Sequence, residues 1–180
     1  NVAQGEVILG HLNARLSPDG RRIAFVSSSS TLVGGDTNGQ ADVFVRDLAS
    51  GATTLASSTS SGVPATLSVC CFQSYYKVEW ASNTLLQFAP DQPGSLGPRG
   101  EYVKNVDTGA LSLLLAATDG ATATLSFDAS KLVLARLYGS GFDYRIFVRD
   151  LATGSEQIVS SSSSGTAGNG NSNLFRGAIS

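Results

Sequence analysis

The sequence predicts an all-β chain built from three repeats of a four-stranded antiparallel sheet, and three observations carry that expectation. Apolar residues come in short runs rich in Val, Ile, Leu, Phe and Tyr, bounded by Gly, Asp, Asn or Ser, which is the pattern of strands joined by tight turns. No 3.6-residue periodicity persists, so long amphipathic helices are not expected. One segment, Phe44-Val45-Arg46-Asp47-Leu48-Ala49-Ser50-Gly51, returns almost unchanged as Phe147-Val148-Arg149-Asp150-Leu151-Ala152-Thr153-Gly154, with a weaker copy at Tyr102-Val103-Lys104-Asn105-Val106-Asp107-Thr108-Gly109.

The elements follow in order. In the first repeat a short strand ends near Ser17, the turn Ser17-Pro18-Asp19-Gly20 follows, and residues 22–27 (RIAFVS), 42–48 (DVFVRDL) and 53–57 supply the other strands. Pro followed by Asp-Gly is tight-turn chemistry, so Asp19 is expected to cap backbone amides of its own turn. In the second repeat the turn has become Ala81-Ser82-Asn83, ahead of strands at 85–89 (LLQFA) and 101–106 (EYVKNV). The third carries Leu125-Ser126-Phe127-Asp128 and strands at 131–137 (KLVLARL), 144–151 (YRIFVRDL) and 157–160. A unit of about 40 residues with four strands is a β-propeller blade. The blades are placed at 12–57, 77–117 and 122–160, with an insertion at 58–76 and the start of a further blade at 161–180. Phe25, Phe44, Trp80, Phe88, Leu134 and Phe147 are the expected core between sheets. The Ser-rich stretches 57–61 and 160–164 occupy equivalent positions after a fourth strand and read as connectors between blades.

The pattern L-S-P-D-G-R-R-I-A-F, followed by G-D-T-N-G-x-x-D-V-F-V-R-D-L-x-x-G, resembles the TolB-type, WD-repeat-like bacterial β-propeller repeat. That resemblance implies the architecture of an exported binding platform with no fixed catalytic set. Propellers usually close with four to eight blades, and this chain supplies three, so the ring is expected to be completed by other chains or by further sequence. Residues 4–9 resemble a fourth strand and 174–180 a first strand, which makes self-association into a ring or a filament the expectation.

Composition narrows the function. Only 14% of the 180 residues are charged and the net charge is -2, without the basic excess that draws a nucleic-acid backbone. Apolar runs fall short of the roughly 20 residues that span a bilayer. A chain without Met that starts at Asn reads as a processed product or a piece of something longer, and an extracellular, cell-surface or periplasmic location is expected.

Two places bear chemistry. Asp36, Asn38, the Gln40 carbonyl and Asp42 put oxygen ligands at alternate positions around Gly39, as Ca²⁺ requires, although the Glu that closes an EF-hand is replaced by Asp47. The same Asn38-Gly39 pair also spells a type I′ hairpin turn, so both readings stay open. Cys70 and Cys71 are adjacent; free thiols, a strained vicinal bridge and a bridge to another chain are the alternatives. With Phe72, Tyr75 and Tyr76 they form a candidate contact loop. No G-x-S-x-G or H-E-x-x-H occurs and His11 is the only His, so no enzyme is expected. The expected function is a non-catalytic scaffold for protein binding or self-assembly. The alternatives are a carbohydrate or envelope-ligand module, for which Tyr75, Tyr76, Phe142 and Tyr144 are candidates, and an accessory propeller of a larger exported peptidase.

Overall fold

The computed structural model describes residues 14–65, 78–90, 93–116, 122–138, 143–172 and 174. Among them are twelve strands and no helix, so no helix is long and apolar enough to cross a membrane. The strands are β1 (Arg15–Leu16), β2 (Arg22–Ser27), β3 (Asp42–Asp47), β4 (Thr53–Leu55), β5 (Val78–Trp80), β6 (Leu85–Phe88), β7 (Gly100–Asn105), β8 (Leu111–Ala116), β9 (Thr122–Leu125), β10 (Lys131–Leu137), β11 (Tyr144–Asp150) and β12 (Glu156–Ile158). They form three separate four-stranded sheets, β1 to β4, β5 to β8 and β9 to β12, each an antiparallel meander in which sequence neighbours are hydrogen-bonded neighbours.

The repeat in sequence is a repeat in register. Phe44 lies opposite Phe25, Tyr102 opposite Phe88 and Phe147 opposite Leu134, and the pairs on either side follow in step. Phe25 and Phe44 stack with centroids 5.8 Å apart, and Phe88 and Tyr102 at 6.3 Å.

Period-two alternation then gives each sheet two faces. Ala24, Val43 and Val45 of the first blade pack on Val78, Leu86, Phe88 and Tyr102 of the second. Ala81, Leu85 and Val103 of the second pack on Ala123, Leu125, Leu132, Leu134 and Phe147 of the third. Of the expected core, Phe44, Phe88, Leu134 and Phe147 are buried, while Phe25 and Trp80 are half-buried. The Trp80 indole keeps one edge polar, donating Nε1–H to the Arg15 carbonyl at 2.9 Å.

The turns are copied too. Asp47, Asn105 and Asp150 each accept two backbone N–H groups through one side-chain oxygen, from Ala49 and Ser50, from Asp107 and Thr108, and from Ala152 and Thr153. Each turn closes on a glycine at positive φ, Gly51 at 72°, Gly109 at 76° and Gly154 at 71°, a conformation that a Cβ disfavours. At the same end of the blades, where Leu48 N–H donates to the Arg21 carbonyl and Leu151 N–H to that of Ser130, Asp19 caps Arg21 N–H and accepts from Ser17 Oγ, and Asp128 does the same with Ser130 N–H and Ser126 Oγ.

A polar joint crosses the second interface. Buried Gln87 donates Nε2–H to Glu101 Oε2 at 3.0 Å and to the Ala123 carbonyl at 2.7 Å, while its Oε1 accepts Leu125 N–H at 3.0 Å. One side chain on β6 thereby satisfies backbone groups of β9 in the next blade.

Two predictions follow from these joints and caps. Gln87→Ala leaves the Ala123 carbonyl and the Leu125 N–H buried without this partner, so urea unfolding should show a loss of about 3 kcal/mol. Hydrogen bonds from Ser126 hold the Asp128 carboxyl well below its ordinary 3.8, at about 2, and Lys131 does the same for Asp150. A carboxyl whose folded pKa is depressed stabilises the fold above its unfolded pKa, and that contribution disappears as pH falls through the folded value. Stability should therefore decline between pH 4 and pH 2, and carboxyl chemical shifts should titrate with midpoints near 2 for these two residues.

Candidate cation site and blade interfaces

The loop of residues 28–41 joins β2 to β3 and carries the acidic motif. Asn38-Gly39 therefore sits inside a long connection and does not form a two-residue hairpin turn. Asn38 Oδ1 accepts Gln40 N–H at 2.8 Å, and Gly39 has φ of 64°. The Asn38 amide nitrogen donates to Asp42 Oδ2 at 2.8 Å and to the Ala65 carbonyl at 3.0 Å, which pins the loop to the chain beyond β4. Asn38 thus positions Asp42, with both ends of its amide engaged by the protein.

Asp42 is wholly buried at the start of β3, and its Oδ1 accepts Ser57 Oγ at 2.6 Å. The Ser57 hydroxyl in turn accepts Val43 N–H at 2.9 Å. Burial pushes the Asp42 carboxyl up; the hydrogen bonds from Ser57 and Asn38 pull it down, and the negative charge of Asp36 raises it again. Asp36 is 4% exposed, and both of its carboxylate oxygens are buried without a hydrogen-bond partner. Gln40 is half-buried and its N–H serves the Asn38 turn. No group of three or more His, Cys, Asp or Glu gathers among the described residues. Two carboxylates, Asp36 and Asp42, are what this loop brings together.

A different device links blades one and two. Lys104 on β7 is buried, and its Nζ donates to the Ser58 carbonyl at 2.8 Å, the Thr59 carbonyl at 3.0 Å and Ser58 Oγ at 3.2 Å. Desolvation pushes its pKa down. The connector after β4 is thus clamped by a cation of the following blade. Near the rim, Arg22 adds an ion pair to Asp107 at 2.6 Å.

The connector after the third blade has the same construction. Ser58 bridges Pro64 as Ser161 bridges Ala167, and Thr59 N–H donates to the Val63 carbonyl as Ser162 N–H does to Thr166. Its surroundings differ. Ala56 is 3% exposed, whereas its counterpart Val159 is 48% exposed. Val133, Ile146 and Val148, the counterparts of buried Ala24, Val43 and Val45, are half-buried. At the other end Leu16 is 59% exposed, whereas Leu125, at the same register position of β9, is 5% exposed beneath the second blade. The first strands of all three blades meet at a cleft of about 320 Å³, lined among others by Arg15, Leu16, Glu79, Trp80, Thr124 and Phe127.

Cys70, Cys71, Phe72, Tyr75, Tyr76 and Phe142 lie outside the described residues, as do 4–9. Tyr144 is half-buried at the start of β11, with its N–H donating to Asn171 Oδ1. Sequence reasoning missed Lys104 and Gln87. The signal for Gln87 was a polar residue at a strand position where the other repeats have Ala24 and Val133.

No family model matches the chain, and no curated protein matches it. Solved structures do. The β-propeller domain of the Trilobed protease from Pyrococcus furiosus aligns with a TM-score of 0.51 at 14% identity, over 82% of this chain and 43% of that one. An oligogalacturonate lyase in complex with manganese gives 0.51 at 14% identity, over 83% and 41%. TolB from Acinetobacter baumannii gives 0.49 at 19% identity, over 82% and 32%. The chain therefore spans less than half the length of these structures, and what it shares with them is the β-propeller fold, here as an open arc of three blades.

The clamp yields a prediction. Lys104→Met keeps the aliphatic stem and removes the ammonium, leaving the Ser58 and Thr59 carbonyls without this donor. Denaturant unfolding should register a loss of about 2–3 kcal/mol.

Proposed function

We propose that this chain is a non-catalytic, exported β-propeller scaffold that binds protein by accepting a further blade on its third sheet, in self-assembly with a second copy. The observation that carries the reading is the partly exposed face made by half-buried Val133, Ile146 and Val148 and exposed Val159, whose equivalents in the first blade are buried under the second. Burial of apolar area drives such docking at about 25 cal/mol per Å². The connector at Ser161 and Ser162 supports it, because it repeats the backbone that Lys104 grips one interface earlier. On the complementary side of the first blade Leu16 is exposed, while Phe44 is already buried. Two arcs joined at both ends form a two-fold ring; a rotation that fails to close gives a filament.

Light scattering on the 180-residue chain should give a mass of twice 18.5 kDa or more. Val148→Glu, which places a charge on the outer face without touching the packed one, should shift the population to monomer with an unchanged circular dichroism spectrum. A wild-type monomer that unfolds cooperatively would overturn the proposal.

A further inference from the structure

We infer that the β2–β3 loop of the first blade is a calcium site, with Asp36 and Asp42 as its charged ligands. This goes beyond the scaffold reading and stands without it, because every residue involved belongs to one blade or to the segment directly after it.

Asp36 carries the argument. A carboxylate buried with no partner for either oxygen is an unstable arrangement unless a proton or a cation accompanies it. Asp42, also buried, carries a second negative charge close enough for each to repel the other. No ion pair among the described residues includes either group. Asp42 has lone pairs left after accepting from Ser57 and Asn38, since each carboxylate oxygen takes more than one partner. The loop is thus short of positive charge and rich in hard oxygen, the ligand type Ca²⁺ takes in flexible, irregular cages.

The third blade shows what the same position looks like when the charge is supplied by the chain. There Arg145 stands where the first blade has Asp42, two residues before the phenylalanine of the shared register. The hydroxyl beside it is retained: Ser160 Oγ accepts Ile146 N–H at 3.1 Å, as Ser57 Oγ accepts Val43 N–H. Buried Arg145 donates to the Gly170 carbonyl at 2.7 Å and the Tyr144 carbonyl at 3.2 Å, and pairs with Asp143 at 3.4 Å. In the third blade a cation among backbone carbonyls and a carboxylate fills this corner, whereas the second blade has the uncharged Gly100 there. Where the first blade replaces the guanidinium with Asp42 and adds Asp36, the cation must come from solution.

Only two carboxylates contribute, so the affinity belongs with the weaker sites, at a Kd of about 0.1–1 mM. Mg²⁺ demands near-ideal octahedral geometry and gives up its water reluctantly, so it should bind less well.

The test is thermal unfolding of the 180-residue chain in EDTA, in 10 mM CaCl₂ and in 10 mM MgCl₂, together with calorimetric titration of CaCl₂. Calcium should raise Tm by about 5 °C, magnesium by less, and calorimetry should give one site per chain. Asp36→Asn, which keeps the shape and removes the charge, should lose both the shift and the heat while unfolding in EDTA at or above the wild-type Tm. Asp128→Asn, in a distant turn, should keep the full shift. Equal wild-type Tm in calcium and EDTA with no heat would overturn the inference, and so would an Asp36→Asn variant that still responds. A wild-type Tm that rises on acidification from pH 7 to pH 5 and ignores calcium would also overturn it, because the pair would then be sharing a proton.

Discussion

Sheet must cover sheet: a four-stranded meander whose strands are apolar on both faces has to be sandwiched, and everything else in this molecule answers to that constraint. Ala24, Val43 and Val45 on one face and Leu86, Phe88 and Tyr102 on the other are buried because they meet, and the small Ala opposite large aromatics lets the two sheets approach. The second interface repeats the arrangement with Leu132, Leu134 and Phe147. Strand order within a blade is trivial by comparison, each strand simply pairing with the next in the chain.

Apolar packing alone does not set the angle and register between blades, because it is non-directional. Directional contacts are supplied at each joint by a buried long polar side chain that reaches the neighbour's backbone, Lys104 towards the Ser58 connector and Gln87 towards β9, and at the first joint also by the Trp80 indole and the Arg22–Asp107 pair. A buried donor or acceptor without its partner is costly, so each contact rejects orientations that the greasy surfaces would tolerate. The two joints use different chemistry for the same task.

Much of the fold was legible because it is periodic. The FVRDL repeat places three third strands, and strand positions and pairing follow from alternation and turn residues; β2 (Arg22–Ser27) and β10 (Lys131–Leu137) coincide with their predicted ranges. The turn role of Asp19 was also readable from Pro-Asp-Gly. What the sequence did not disclose is aperiodic. Nothing local in Tyr102-Val103-Lys104 says that an ammonium will be buried against carbonyls far back in the chain, since a Lys at that position looks like the exposed Arg46 of the first blade. The acidic motif was visible, but its division of labour was not: Asn38 turns out to organise the loop, while Asp36 is buried without a hydrogen-bond partner for its carboxylate.

Among the described residues, the second blade is the sheet that lies between two other blades, and this has a kinetic side. Contacts within each blade are local in sequence, so a blade forms quickly once its turns close, whereas stability accrues joint by joint along the arc. Amide protons of β6 and β7 then exchange only when two joints are broken, while those of β2, β3, β10 and β11 exchange after the loss of one. The arc opens from its ends inward, like a stack of cards held in the middle.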